Sequence, residues 1–357
     1  MSLHSDGYTP AHAKPSLFRR VLNRRWKRVV TAIVCVILAL LIALAATFAV
    51  LYATGRSGLI SSKAPGSAPS GYDIDLDDDG RTVRYNGKTY RYNSGIATLL
   101  LIGTDKKRVA TASGANGTNG QADALYLAAI DTKSGKVTVI AIPRDLMTEI
   151  DMYSASGNYI GRERKQVCLA FAYGDGKQLS CENTVTAVSG LLYGTDISTY
   201  FCMDQVYFAA LTDVLGGVTV PEYDSNYKKT GRNITISGDR ITKYISGRDK
   251  SVLESNSNRV ERQVNFLKAF ANKTIEQTKK DITVPLNLYN KLSKNSISTV
   301  DASKITYLAT VFLNGGADLE FVTVPGKIVQ GEEYAEMYAD EKALYELLLD
   351  VFYVQQA

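Results

Sequence analysis

Strands and helices alternate along most of this 357-residue chain. That pattern predicts an α/β fold: a single extracellular α-β-α domain with a central mixed sheet, preceded by one transmembrane helix. Three observations carry the expectation. Val29 to Tyr52 is 24 residues without a charge. Apolar runs at 97–102, 124–130 and 137–142 read as buried strands. Amphipathic segments from Arg259 to about Thr278 and from Asp340 to Tyr353 read as helices.

The uncharged stretch is long enough for the roughly 30 Å hydrocarbon core of a bilayer. Arg24, Arg25, Lys27 and Arg28 abut its first end, and the positive-inside rule puts that end in the cytoplasm. A cleaved signal peptide would carry a shorter apolar region with a small-residue cleavage site behind it. The net charge of +5 is a property of the tail: residues 1–30 carry seven basic side chains against Asp6, leaving about −1 for the remainder. A reader of nucleic acid needs its basic stripe in the folded part, so no nucleic-acid partner is expected. The two histidines, His4 and His12, also lie in the tail. Chemistry in the main domain therefore falls to carboxylates, arginines, lysines, hydroxyls or a hard metal ion, without a Ser-His-Asp triad or histidine-bound zinc.

The expected organisation is a basic tail (1–28), the span (29–52), a Gly/Ser/Pro-rich flexible linker (53–72), an accessory hairpin (73–94), a main domain (95–280) and a C-terminal extension packed on it (281–357). Asn86-Gly87 between alternating strands is the hairpin signal. In the main domain, the turn Asp131-Thr132-Lys133-Ser134-Gly135 makes the second and third strands antiparallel neighbours. Helices are expected near 167–173, 181–193 and from Asp204 to Gly216-Gly217, with a strand at 199–203. Of the four cysteines, Cys168 and Cys181 are close in sequence beside helical segments and are the candidates for a disulfide, leaving Cys202 a buried thiol.

The charged residues of interest stand at strand ends. Asp105 follows the first core strand, Asp123 precedes the second, and Arg144 with Asp145 follows the third behind Pro143. Antiparallel pairing of the second and third strands puts Asp123 and Arg144 at one sheet edge. Two carboxylates for Mg²⁺ and an arginine suit a phosphate ester, because Mg²⁺ fills its octahedron with phosphate oxygens and water while arginine grips phosphate bidentately. Taken singly, each is more often a solvated surface charge. On a helical wheel Arg259, Arg262 and Gln263 project to one side of the long helix, and Phe266 and Phe270 continue it. The arrangement fits an anion site at the helix N-terminus with an apolar floor, or equally arginines paired with core carboxylates such as Asp105.

The ordered series Leu100-Leu101-Ile102-Gly103-Thr104-Asp105, Ala122-Asp123, Ala141-Ile142-Pro143-Arg144-Asp145, Leu215-Gly216-Gly217-Val218, Arg248-Asp249 and Arg259-x-x-Arg262-Gln263 resembles the LytR–CpsA–Psr family over about residues 95–275. The resemblance implies a phosphotransferase of Gram-positive envelopes. Such enzymes move a glycopolymer (teichoic acid, capsule or similar) from an undecaprenyl-diphosphate carrier to peptidoglycan with Mg²⁺. It implies Asp105 and Asp123 as metal and catalytic residues, Arg144 and Asp145 as catalytic, and Arg248, Arg259, Arg262 and Gln263 as the diphosphate grip; the apolar floor read from the helical wheel makes Phe266 and Phe270 the lipid-pocket candidates. Three positions depart from the family pattern: Gln121 and Ser246 stand where arginines are usual, and Cys168 where asparagine is. Arg162, Arg240 and Lys243 are the cations available to replace the missing charge. One other reading follows from that loss, a non-catalytic binder of polyprenyl diphosphates; a third is a hydrolase that cleaves the lipid diphosphate with water as acceptor, as a transferase lacking its acceptor can.

Overall fold

A computed structural model describes residues 17–60, 63–105, 119–154, 156–204, 207–247, 255–315, 318–331 and 334–356. The chain divides into two units, Met1–Val50 and Leu51–Ala357. Helix α1 (Leu17–Leu59) contains the one stretch among the described residues, Cys35–Leu59, that is long and apolar enough to cross a membrane. The helix runs past the expected end of the span, and the supposed linker is largely folded. Within the second unit Tyr52 meets Tyr307 edge to face at 5.1 Å, and Leu59 is buried while its carbonyl accepts the Ser198 hydroxyl at 2.8 Å. Ala64 is buried, and the Gly66 and Ser67 amides both reach the Tyr193 carbonyl. Two apolar side chains with somewhere to pack outweigh the flexibility that Gly, Ser and Pro suggest.

Strands β1 (Ile74–Leu76), β2 (Thr82–Tyr85) and β3 (Lys88–Tyr92) form the expected hairpin with a flanking strand. Asn86 and Gly87 both take positive φ, 51° and 72°, as a two-residue hairpin turn requires. Next come β4 (Ile96–Thr104), β5 (Ala122–Asp131), β6 (Lys136–Ile142), the hairpin β7 (Met147–Tyr153) and β8 (Tyr159–Gln166), and helices α2 (Leu169–Ala172) and α3 (Gln178–Leu191). They are followed by β9 (Thr199–Asp204), α4 (Tyr207–Val214), the hairpin β10 (Val218–Tyr223) and β11 (Lys229–Ile236), α5 (Asp239–Ser246) and α6 (Ser255–Lys280). The chain ends with α7 (Val284–Ser293), β12 (Ser296–Ser298), α8 (Ala302–Gly315), β13 (Asp318–Thr323), the hairpin β14 (Gly326–Gln330) and β15 (Ala335–Ala339), α9 (Glu341–Phe352) and β16 (Tyr353–Gln355).

The central sheet has the order β12-β9-β4-β5-β6-β13 and is mixed. β4 is parallel to β9 and antiparallel to β5, β5 and β6 are antiparallel, and β13 runs parallel to β6. Strand alternation divides the core. Leu100, Ile102, Leu125, Leu127, Ile140 and Ile142 pack with Phe171, Val188, Leu348 and Phe352 on one face. Ala97, Tyr126, Ala128, Val137 and Val139 pack with Tyr307 and Val311 of α8, and with Val264 and Leu267 of α6, on the other. The C-terminal extension is thus built into the domain. It supplies an edge strand of the central sheet, and β16 pairs with β3. Asp340 caps α9 by accepting the Ala343 amide at 3.1 Å.

Phe352 is fully buried where α9 meets the sheet. Replacing it with alanine should cost about 3–5 kcal/mol in urea unfolding, the range for emptying an aromatic core site. A loss below about 1 kcal/mol would show that the C-terminal segment is not part of the cooperative core.

Candidate active site

The site forms where β4, β5 and β6 end together. Gly103 pairs with Ala124 and Thr104 with Ala122, so Asp123 is the extra residue of a β-bulge. A bulge breaks the alternation that would otherwise bury or expose this side chain, and re-aims it. Across the sheet the pairing Leu125–Ile142 extends to bring Asp123 opposite Arg144, beyond Pro143. The Arg144 guanidinium donates to Asp123 Oδ1 and Gln121 Oε1, and its Nε lies 3.4 Å from Asp145 Oδ1. Asp105 is exposed beside them, and its Oδ1 accepts the Gln121 amide at 2.8 Å. The backbone of Cys168 straps the strand ends together: its amide donates to the Arg144 carbonyl at 3.2 Å, and its carbonyl accepts from Ala122 at 3.1 Å.

Burial pushes the Asp123 carboxyl above its ordinary pKa, and the Asp105 charge adds to this; Arg144 and Arg259 pull the other way. Burial disfavours the charge on Arg144, but Cys168, Asp123 and Asp145 around it outweigh that and hold its pKa above the usual value. Burial pushes the Cys168 thiol up to about 12, so at neutral pH it is neither an anion nor a nucleophile. Of the three carboxylates around Arg144, Asp105 and Asp123 are close enough to feel each other, and Asp145 pairs with the arginine. No group of three or more His, Cys, Asp or Glu side chains suited to a metal occurs among the described residues. Two carboxylates fit Mg²⁺, which takes only one or two from the protein and completes its shell with phosphate and water. They would not fit a structural zinc.

Helix α6 lies over the sheet end, and its first turns divide their side chains. Arg259 is buried, 8% exposed, and its charge acts on Asp123. Gln263 accepts the Tyr126 hydroxyl at 2.9 Å and donates to the Ile245 carbonyl at 3.1 Å, tying sheet, α6 and α5 together. Arg262 is placed elsewhere. It is 1% exposed, and its guanidinium donates to the carbonyls of Tyr244 (2.8 Å), Asn258 (3.2 Å) and Gly247. Arg262 and Gln263 are about 100° apart on the helix. Since α6 is wedged between the sheet on one side and α5 with the β10–β11 hairpin on the other, Gln263 reaches both the sheet and α5, whereas Arg262 reaches only the α5 side. Arg248 and Asp249 lie outside the described residues.

None of the expected replacement cations joins Arg144. Arg162 bonds Asp151 at 2.6 Å, and Arg240 and Lys243 line a separate cavity with Arg262. The expected Cys168–Cys181 disulfide is not formed: Cys35, Cys168, Cys181 and Cys202 are all free. Cys168 is drawn to the strand ends beside Arg144, whereas Cys181 on α3 faces the sheet and its thiol neighbours that of Cys202 on β9. Asp204 was missed as a site neighbour. It ends β9 beside Thr104 in register and is 4% exposed. The signal was an apolar run closed by an acid, the same pattern that marks Asp105, but Asp204 also suits a helix cap.

Behind the polar cluster an apolar cavity of about 430 Å³ runs between the sheet and α6–α8. Phe266 and Phe270, with ring centroids 6.0 Å apart, line it, as do Leu99, Leu101 and Phe312. Tyr126 and Gln263 belong to its wall as well. The charged edge and the greasy chamber are therefore parts of one site.

A sheet edge with paired acids and arginines lies beside an apolar chamber. The chain belongs to the LytR_cpsA_psr family, which it matches over residues 72–348. This is a family of phosphotransferases for wall polymers, and the chain is by class a cell-wall glycopolymer transferase. No curated protein sequence matches it. Its fold is similar to that of gbs0355 from Streptococcus agalactiae (17% identity, 71% of this chain and 86% of that one, TM-score 0.57). It is also similar to TagT bound to LI-WTA (17% identity, 71% and 88%, TM-score 0.53) and to TagV of B. subtilis (17% identity, 71% and 95%, TM-score 0.53).

Removing Arg262 should test its structural placement. Arg262→Leu leaves three carbonyls without their donor and should destabilise by at least about 3 kcal/mol in urea unfolding. Arg144→Ala, at a site about one-fifth exposed, should cost clearly less. Equal losses would contradict the division of labour between the two arginines.

Proposed function

We propose that this protein transfers a glycopolymer from an undecaprenyl-diphosphate carrier to peptidoglycan on the outer side of the membrane, assisted by Mg²⁺. The observation that carries the reading is the adjacency of the two parts: Ala124, next to Asp123, lines the apolar cavity together with Tyr126 and Gln263, and the Arg259 charge acts on both Tyr126 and Asp123. A polyprenyl chain would occupy the cavity and leave its diphosphate beside Arg144 and Arg259. That TagT has been seen bound to LI-WTA supports a wall polymer as cargo. Four basic residues immediately before the apolar stretch support an N-terminus in the cytoplasm.

In this reading the acceptor hydroxyl oxygen forms a bond to the phosphorus that carries the glycopolymer. The phosphoanhydride bond breaks, and polyprenyl phosphate leaves with the acceptor's proton. Such a transfer needs positioning and neutralisation of charge more than covalent help from the protein. Arg144 would bind and orient the diphosphate, pre-positioned by Asp123, Asp145 and Gln121. Arg259 would face it from α6, and the Tyr126–Gln263 bond would fix the helix over the sheet. Asp105 and Asp123 would hold Mg²⁺, which when bound supplies Lewis-acid neutralisation of the phosphate oxygens.

A binder without turnover is favoured by one observation. Gln121 stands where an arginine is usual, and it occupies one edge of the Arg144 guanidinium instead of adding a charge.

The test uses the full chain in detergent with a short polyprenyl-diphosphate-linked saccharide, Mg²⁺ and peptidoglycan fragments. Metal- and acceptor-dependent transfer is expected, falling about 10²–10³-fold in Arg144→Ala, the size of one lost transition-state donor. Tight binding with no turnover would establish the second reading. Release of phosphate independent of acceptor would establish a hydrolase.

A further inference from the structure

A second cavity, of about 220 Å³, opens on the opposite side of α5 from the sheet edge, between the β10–β11 hairpin and the first turns of α6. Its walls are Tyr223, Tyr227 and Tyr244, with Arg240, Lys243 and Arg262. We propose that this cavity binds one anionic sugar residue of a saccharide chain, stacked on the tyrosine rings with its acid group against Arg240 and Lys243.

The floor is positive. The Arg262 side chain is 1% exposed, and among the described residues no carboxylate lies within ion-pair distance of it. Three carbonyls and the faces of Tyr227 (4.4 Å) and Tyr223 (5.6 Å) stabilise it. The rim is positive too. Arg240 and Lys243 stand one turn apart on α5, exposed, with no ion pair among the described residues. The neighbouring acids are committed elsewhere: Glu222 to Arg232 and Thr230, Glu261 to Lys229, and Asp224 to the amides of Asn226 and Lys228. Asp224 is the one carboxylate in the wall, against three cations.

The aromatic wall is positioned, not incidental. Tyr227 holds a φ of +59°, uncommon for a bulky residue, within the turn that Asp224 closes. A Cβ on Gly247 would sit 2.6 Å from the Tyr227 hydroxyl and 2.7 Å from the Lys243 carbonyl, so the glycine lets ring and helix end approach. The Tyr244 and Tyr223 hydroxyls are occupied by the Pro221 carbonyl and by Asn265, whereas that of Tyr227 has no partner among the described residues. Aromatic faces, a hydroxyl without a partner among the described residues and cations with no ion pair among them are what an acidic sugar needs. A nonpolar ligand would leave the cations unused. The volume is below that of pockets for drug-sized ligands, which limits the occupant to a single sugar unit.

The acid could belong to a phosphate-bearing glycopolymer or to a carboxylated peptidoglycan strand; assigning either rests on the transfer reading above. The test titrates the full chain in detergent with four probes: a soluble peptidoglycan fragment, a lipid-free glycosyl-phosphate oligomer, a neutral chitin disaccharide and an acidic peptide. Calorimetry should show saturable binding of one of the first two, weakened by salt and at least about tenfold weaker in Arg240→Ala/Lys243→Ala, the loss of one charge-assisted hydrogen bond. Tyr227→Phe should weaken it less than Tyr227→Ala, and Lys243→Arg should restore the Lys243→Ala loss. Whichever probe binds identifies the source. If transfer occurs, the double variant should raise the KM of the matching substrate and leave kcat unchanged. Binding lost in the double variant without any transfer would uphold this site and sink the transferase reading. Transfer with no probe binding, binding indifferent to the double variant, or equal binding of the neutral disaccharide or the acidic peptide would overturn the site.

Discussion

The Arg144 guanidinium is the interaction on which the site depends. It spans the ends of two strands, held by Asp123 on one and by its neighbour Asp145, with Gln121 completing the fork. Half-buried arginine and aspartate each lose hydration, and neither side of the pair would be stable there alone. The pair closes an edge of the sheet that would otherwise end in unmatched charge. It also keeps a bidentate anion-binding group from collapsing onto the surface. The bulge at Asp123 makes this possible, because regular alternation would not turn that carboxylate toward Arg144.

Helix α6 extends the logic to a second element. Gln263 bridges Tyr126 in the sheet and Ile245 in α5, so the helix is fixed at the level of the site. Arg262, one residue before, bonds the carbonyls where α5 ends. A lysine could not make both bonds in this planar fork. The same two helices therefore form one wall of the apolar chamber and one wall of the tyrosine-lined cavity; Arg259 acts on Asp123 at the sheet edge, and Arg262 lines the second cavity.

Much of this was legible in the sequence because it rests on local rules. The Asn86-Gly87 turn and the antiparallel pairing of β5 with β6, which sets Asp123 opposite Arg144, follow from turn chemistry and strand period, whereas the bulge that aims the carboxylate does not. What escaped depends on contacts distant in the chain. Leu59 and Ala64 fold a segment whose composition reads as linker, because they pack into a site built partly by distant residues: the Ser198 hydroxyl bonds the Leu59 carbonyl, and the Gly66 and Ser67 amides reach the Tyr193 carbonyl. The separation of Arg262 from Gln263 was hidden because a helical wheel shows a face but not which neighbour occupies it. The cysteines were paired by sequence proximity, yet α3 turns Cys181 toward β9 and Cys202. The strand supplied by β13 was invisible for the same reason.

The replacement of an arginine by Gln121 alters the electrostatics of the site in a definite direction. An arginine at 121 would compete with Arg144 for Asp123 and Asp105, and would raise the positive charge facing a diphosphate. Glutamine instead accepts a hydrogen bond from Arg144 and, through its amide, gives one to Asp105. It therefore organises the existing charges without adding one. Arg162 is paired with Asp151, and Arg240 and Lys243 line the second cavity, so the deficit is not made good by these cations. On the proposed function the grip on the phosphate would rest, among the described residues, on Arg144 and Arg259, and a divalent cation held by Asp105 and Asp123 would carry a larger share of the neutralisation than in a site with a further arginine.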